Sequence, residues 1–426
     1  MQSIYDAVVI GSGFGGAITA ARLAQAGRSV CVLERGRRWG KADFPRSIGQ
    51  VRDAFWNDED RGFLDYRSFK NIDVIQASGV GGGSLIYFNV QIEAPPRIFQ
   101  RGWPQAITRQ SLDPYYALVQ DMLDAVPLQP PTGRTLPPRT KAFLDAAQGA
   151  GRKAELLKIA VYTGPDRQNP HSGAPQGACV YCGNCGLGCH VHAKNTLDLN
   201  YLPLAEQHGA QVLPLHHVDK IEPAEQGYRV TYRNLEAGAT GMVLGRRVVV
   251  AAGALGSTEL LLRCQHVHKS LPGLSPILGQ QFSGNGDFIL AGTHRTPRDV
   301  NPSEGPSITA GVDFRRTTKR FSSKTWAIPN PCCGIWRARC RPLIGRQASS
   351  SSSKPTCSAV SAWSALARSG ARPLDSSRAA SPPASCPTWG SAATRWTVRC
   401  ACGMDSSTST GAFDAAAACF SRWSRP

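Results

Sequence analysis

The chain has 426 residues, enough for two or three domains, and its 42% hydrophobic and 18% charged residues are an ordinary balance for a globular protein. The formal net charge of +18 would suit an anionic partner, yet residues 318–426 alone supply +12 of it, in a stretch that also holds eight of the 14 Cys and six of the nine Trp. A nucleic-acid arm is rich in Lys and poor in Trp and Cys, so the composition argues against nucleic acid, and no run reaches the roughly 18 apolar residues of a membrane span.

Residues 4–36 read as one unit: a strand at 7–10, the turn Gly11-Ser12-Gly13-Phe14-Gly15-Gly16, a helix at 17–26, a strand at 29–33 and the acid Glu34. Gly11 suits the tight turn, Gly13 lets backbone approach a pyrophosphate at the positive helix N-terminus, and Gly16 allows close packing of the helix. Glu34, 18 residues past Gly16, is placed to accept hydrogen bonds from ribose hydroxyls and disfavours a 2′-phosphate. A plain glycine-rich turn would not carry that acid. The strand follows Met1 without the basic, apolar and small-residue succession of a signal peptide, so a cytoplasmic address is expected.

Gly79-Val80-Gly81-Gly82-Gly83-Ser84 precedes an apolar run that contains Asn89, and so many adjacent glycines suit backbone laid against something flat or bulky. Trp103-Pro104 reads as a turn cap, Asp113-Pro114 caps a helix expected at 115–123, and the proline-rich residues 127–139 read as a surface connection. Strands are expected at 210–213, 228–232 and 247–250, and the last runs through Ala252 and Gly253 into a helix at 258–263, again bringing small residues close to a cofactor. His190, His192, His216 and His217 read as packing or surface residues. Short β-branched runs alternating with helix signals predict an α/β protein, with α+β character in the substrate region.

Cys179-x2-Cys182-x2-Cys185-x3-Cys189 has the spacing of a bacterial ferredoxin loop, with His190 where proline is usual. Four such thiolates suit an iron–sulfur cluster; a tetrahedral zinc site and four reduced thiols without metal are the alternatives. Disulfides are not expected in a reducing compartment.

In order and spacing, GSGFGG at 11–16, GVGGGSLIYFNV at 79–90, CVYCGNCGLGCHVHAKNTLDLNYL at 179–202 and VVVAAGALGSTELLL at 248–262 resemble the glucose-methanol-choline flavin oxidoreductases, in their bacterial cholesterol oxidase-like branch. The resemblance spans roughly residues 4–316. It implies a Rossmann-like FAD-binding domain with an interleaved, truncated mixed-sheet substrate domain. The expected segments are 1–94 and 176–264 for FAD, 95–175 and 265–316 for substrate, and a tail at 317–426. It implies oxidation of an alcohol or sterol CH–OH group by hydride transfer to the flavin, with oxygen or another acceptor taking the electrons. The glycine-rich stretch at 79–84 is then the part that meets the flavin ring. The residues expected at FAD are Gly11, Gly13, Phe14, Gly16, Glu34, Gly79, Gly82, Gly83, Ser84, Asn89, Val218 (at the adenine), Ala252 and Gly253.

Family members also carry a histidine base in a C-terminal His-Pro-Leu-Gly-Gly-like motif, whereas no His follows His294 here, so no catalytic residue is assigned. Beyond about Arg320 helical and strand periodicity stops. The tail reads as a GC-rich coding region translated out of frame: in one neighbouring frame residues 393–398 can be coded as His-Pro-Leu-Asp-Gly. The expectation is an impaired alcohol or sterol oxidoreductase. The alternatives are an FAD dehydrogenase that passes electrons through a cluster to a quinone or protein, and a non-catalytic FAD-binding relic.

Overall fold

The computed structural model describes residues 4–57, 61–280, 282–284, 300–313 and 322–324. β1 (Ile4–Ile10), α1 (Phe14–Gln25) and β2 (Val30–Leu33) open the chain, followed by α2 (Ile48–Asp53) and the hairpin of β3 (Leu64–Ser68) and β4 (Asp73–Ala77). Next come α3 (Arg109–Met122), β5 (Val126–Pro127), α4 (Pro138–Gly149), β6 (Ala154–Leu156), β7 (Lys158–Ile159), β8 (Arg167–Gln168) and β9 (Pro175–Gln176). The chain then returns through α5 (Tyr201–Gln207), β10 (Gln211–Leu213), β11 (His216–Ala224), β12 (Gly227–Asn234), β13 (Thr240–Val250) and α6 (Gly253–Leu262). β14 (Ala310–Asp313) and β15 (Ser322–Lys324) follow.

One six-stranded sheet, in the order β10-β2-β1-β13-β12-β11, organises the molecule. Its first four strands are parallel and the last two antiparallel. The parallel part is buried on both faces, as its unbroken apolar runs Ala7 to Ile10 and Val30 to Leu33 require. This is the expected α/β, Rossmann-like architecture, and its sheet is assembled from residues 4–33 and 211–250 with the intervening chain inserted between. A second sheet, β15-β14-β6, joins the insertion to residues 310–313 and 322–324. Of the tail expected at 317–426, only 322–324 fall among the described residues.

α1 shows how composition sets the layer spacing. Gly16, Ala17, Ala20, Ala21 and Ala24 form its buried stripe, and that face packs against the sheet and against Tyr201, Leu202 and Ala205 of α5. Small side chains there bring helix and sheet close; a Leu at Ala20 would overpack the contact at a cost of about 1–3 kcal/mol.

Two boundaries differ from expectation. α3 begins at Arg109, because the Thr108 hydroxyl accepts from Ser111 N at 3.0 Å while Ser111 Oγ accepts from Thr108 N at 2.9 Å. Asp113-Pro114 therefore lies inside the helix, where exposure of Gln110 and Pro114 lets water take the carbonyl that proline leaves unbonded. α6 begins at Gly253, five residues before its expected start, directly off the end of β13. The proline-rich connection ends at 137, since Pro138 is the first residue of α4, a position proline favours.

Candidate functional site

Three glycine-bearing segments meet at the carboxyl end of β1. Gly11 has φ +94, and a Cβ on it would lie 2.5 Å from Ala251 O, so only glycine lets the first turn touch the end of β13. Ala251 N in turn donates to Ile10 O at 2.8 Å. Gly82, at φ +51, lies on Gly13: a Cβ there would be 2.6 Å from Gly13 Cα. Gly16 abuts Gly11 O, which seats α1 on the turn. Sequence reasoning had these glycines meeting a cofactor; the structure has them meeting one another.

Ser12, which sequence reasoning missed, fastens the arrangement. Its buried hydroxyl donates to Glu34 Oε2 at 2.7 Å and accepts from Gly81 N at 3.0 Å. Glu34 Oε2 also accepts from Ser12 N, and Oε1 from Gly36 N, both at 2.9 Å. A carboxylate offers about four acceptor sites, so Glu34 holds the turn and retains acceptor capacity for a ribose hydroxyl.

The N-terminus of α1 carries no side-chain cap and no acid in its first turn, so its free N–H groups and positive end face the space between the loops. A Cβ on Gly83 or Gly253 would meet nothing within 4 Å, which leaves two backbone surfaces open for a ligand. Ser84 Oγ donates to Gly81 O at 2.7 Å and accepts from Leu197 N at 3.0 Å, shaping this turn. Gly79 lies against Trp39 and Leu85. Phe14 is exposed and packs edge-on to Tyr87 at 5.7 Å. These residues fit a dinucleotide: an anion at the α1 N-terminus, a ribose at Glu34 and a flat ring along the second glycine turn.

Ala252 reaches that junction, its Cα 2.8 Å from where a Cβ on Gly11 would lie. Val218 is buried in β11, in one apolar cluster with Ile10 and Leu33, and Ala252 packs against the same cluster. Asn89 is fully buried at φ +57; its Nδ2 donates to Ile308 O at 3.2 Å and its Oδ1 has no hydrogen-bond partner. Asp198, which sequence reasoning passed over, also has a buried unpartnered oxygen, beside Gly81, and burial raises its pKa.

The cysteine loop packs behind the second glycine turn. Cys179, Cys182, Cys185 and Cys189 are free thiols lining one small cavity. Burial pushes the Cys182 thiol up to about 11 and raises Cys179 and Cys189 as well. Among the described residues no three His, Cys, Asp or Glu side chains are gathered so as to hold a metal ion, which goes against the expected iron–sulfur cluster at Cys179, Cys182, Cys185 and Cys189 as much as against zinc. A tetrahedral ion with Zn–S bonds of about 2.3 Å needs its sulfurs nearly in contact.

Lys194 is the second residue missed. Its ammonium is buried and donates to Cys185 O at 2.6 Å, Leu85 O at 3.0 Å and Tyr87 O at 3.2 Å, tying the cysteine loop to the glycine turn. The signal was a lone Lys in an otherwise uncharged stretch, 193–197. His192 is half-buried against Phe44, with burial lowering its pKa to about 4, and His216 packs on Tyr232 at 4.7 Å.

No helix among the described residues is long and apolar enough to cross a membrane. A cholesterol oxidase of Acinetobacter baumannii is 32% identical over 386 residues, 80% of this chain and 68% of that protein. A cholesterol oxidase of Mycobacterium tuberculosis is 33% identical over 336 residues, and there the chain spans only 57% of its relative. A long-chain-alcohol oxidase of Arabidopsis thaliana is 31% identical over 72% of this chain and 43% of its own length. Among solved structures, formate oxidase matches with 14% identity and a TM-score of 0.42, covering 62% of this chain and 48% of its own. The sequence model of the GMC oxidoreductases matches residues 5–283, and the chain belongs to that family.

Proposed function

We propose that this chain binds FAD and descends from an oxidoreductase acting on the CH–OH group of an alcohol or sterol. The observation that carries the reading is the junction of three glycine segments over the uncapped N-terminus of α1, closed by Ser12 and Glu34. Members of the GMC family bind FAD, and three of the relatives described above are named for oxidation of cholesterol or of long-chain alcohols.

In this reading the α1 N-terminus and Gly13 hold the diphosphate, Glu34 the ribose, and Gly82, Gly83 and Ser84 lie along the ring, with Val218 toward the adenine. Bound FAD supplies a two-electron acceptor for hydride from the alcohol carbon. The chain's own share is to orient that ring: Ser12 locks the two turns together, and Lys194 holds the backbone after Ser84. Asn89 Oδ1 is a buried acceptor free to orient a donor at the seam with residues 300–313.

No residue of this chain is assigned as the base for the substrate hydroxyl, because no His follows His294. A positioned base contributes roughly 10²–10⁴ in rate, so turnover is reduced by a factor of that order while FAD binding persists. The test is gel filtration of the full chain with flavin absorbance, followed by turnover of cholesterol and a long-chain alcohol. A monomeric or oligomeric peak without flavin refutes the cofactor reading, and turnover at the rate of an intact relative refutes the impairment.

A further inference from the structure

FAD binding leaves the four thiols of the cysteine loop without a role. They share one small cavity whose remaining walls are mainly apolar, among them Val161, Val191 and Pro306. The loop is wound around that space by left-handed residues at Tyr181 (φ +61), Gly183 (φ +71) and Gly188 (φ +86). At Gly183 and Gly188 a side chain would collide with Ser303 and Phe44, so the loop is also packed tightly on its outer side. Among the described residues no metal-holding group forms there. The chemistry left to thiols so placed is with one another.

One residue touches both members of one pair. Lys194 N donates to Cys189 Sγ at 3.4 Å, and the Lys194 ammonium donates to Cys185 O at 2.6 Å. Between these two cysteines the chain doubles back, with Gly186 and Gly188 joined in a β-bridge. Cys185 is buried, whereas Cys189 is only half-buried and so within reach of a small solute. Burial and the neighbouring Cys185 raise the pKa of the Cys189 thiol, while the N–H and ammonium of Lys194 pull it back down. A thiol in that balance reacts slowly and answers to oxidant that persists. Cys189 is therefore the thiol to be attacked first, and Cys185 the one placed to resolve it.

We propose that Cys189 and Cys185 form a reversible disulfide when hydrogen peroxide accumulates, and that the link loosens the flavin-facing turn. This rests on the FAD reading above, which also supplies the oxidant: oxygen that takes two electrons and two protons from the reduced cofactor leaves as hydrogen peroxide. The Cys189 sulfur attacks one peroxide oxygen, so that an S–O bond forms, the O–O bond breaks, and the thiol proton leaves with the released hydroxide as water. The Cys185 sulfur then attacks the sulfenic sulfur; the S–S bond forms, the S–O bond breaks and a second water departs. Two thiols have lost two electrons, and one peroxide has become two waters. Transient, redox-sensing disulfides of this kind form even where structural ones do not. Transmission to the flavin-facing turn is short. The Lys194 ammonium that holds Cys185 O also holds Leu85 O and Tyr87 O, and the Phe88 ring lies against Gly186. Drawing Cys185 and Cys189 to bonding distance therefore pulls on the backbone just after Ser84.

The experiment takes the full chain, reduced and then exposed to hydrogen peroxide, with its remaining thiols alkylated and the digest read by mass spectrometry. Cys185 and Cys189 should appear joined, unalkylated and lighter by two hydrogens, and dithiothreitol should restore both thiols. In parallel samples FAD affinity, measured by fluorescence titration, should fall several-fold on oxidation and recover on reduction. Cys189→Ser should abolish the link and the change in affinity, whereas Cys31→Ala should keep both. The wild-type chain alone supplies both readouts, so the outcome does not hang on a variant that folds poorly. Full alkylation of Cys185 and Cys189 after peroxide, or a bridge from either to another cysteine, overturns the switch, as does a link that leaves FAD affinity unchanged. A link formed in a chain that takes up no FAD even when reduced would leave the disulfide standing and refute the FAD reading instead.

Discussion

Gly82→Ala isolates the contact between the two glycine turns. Gly82 has φ +51, where a side chain costs about 1–2 kcal/mol. The new methyl would also sit 2.6 Å from Gly13 Cα and 3.0 Å from Gly13 N, an overlap that costs about 1–3 kcal/mol to relieve. Free protein can relieve the overlap by letting the turns part, whereas bound cofactor needs them together. The strain of about 2–5 kcal/mol then appears as weaker binding, about 30- to 4,000-fold at 1.4 kcal/mol per decade. Gly83→Ala is the partner experiment, because its Cβ meets nothing within 4 Å in the chain. It should leave the apoprotein's melting temperature unchanged and weaken FAD binding only if the ring lies on that backbone. Both variants are read by fluorescence titration of apoprotein with FAD and by apoprotein thermal melts. Wild-type FAD affinity in Gly82→Ala, with an unchanged melt, would refute the reasoning.

Ser12→Ala removes the hydroxyl that links Glu34 Oε2 to Gly81 N and leaves two buried partners short of a bond, so FAD affinity should fall by about 1–3 kcal/mol in the same titration. Asp65 is buried, which alone would raise its pKa, but hydrogen bonds and charge from Arg35, with Gln76 and Arg67, hold it below its ordinary value of 3.8. A depressed folded pKa contributes stability that is present above about pH 3.8 and lost as pH falls through the folded value. Urea melts between pH 6 and about pH 2.5 should show that loss, with a shallower decline in Asp65→Asn. Thr108→Ala should cost about 1 kcal/mol of stability by uncapping α3, and Thr108→Asp should restore most of it.

The local half of this protein was legible in its residues. A strand, a glycine turn, a helix and an acid in that spacing admit few conformations, because Gly11 and Gly16 each answer a steric demand and the apolar runs specify parallel strands. The parallel strands were therefore read close to where they lie, and the family with them. Helix starts were less legible: Thr108 with Ser111 competed with Asp113-Pro114, and only the completed turn shows which cap closes.

What tertiary structure alone decided lies between segments far apart in the chain. Ser12 bridging Glu34 and Gly81, Gly82 resting on Gly13, and Lys194 binding the carbonyls of Leu85, Tyr87 and Cys185 are contacts whose partners are separated by nine to 109 residues. A hydroxyl or an ammonium carries no sign of its partner in its own sequence neighbourhood, whereas a glycine in a turn announces its backbone. The cysteine spacing likewise left metal and bare thiols open, and only the tertiary structure shows four free thiols around one small cavity with no metal-holding group among the described residues.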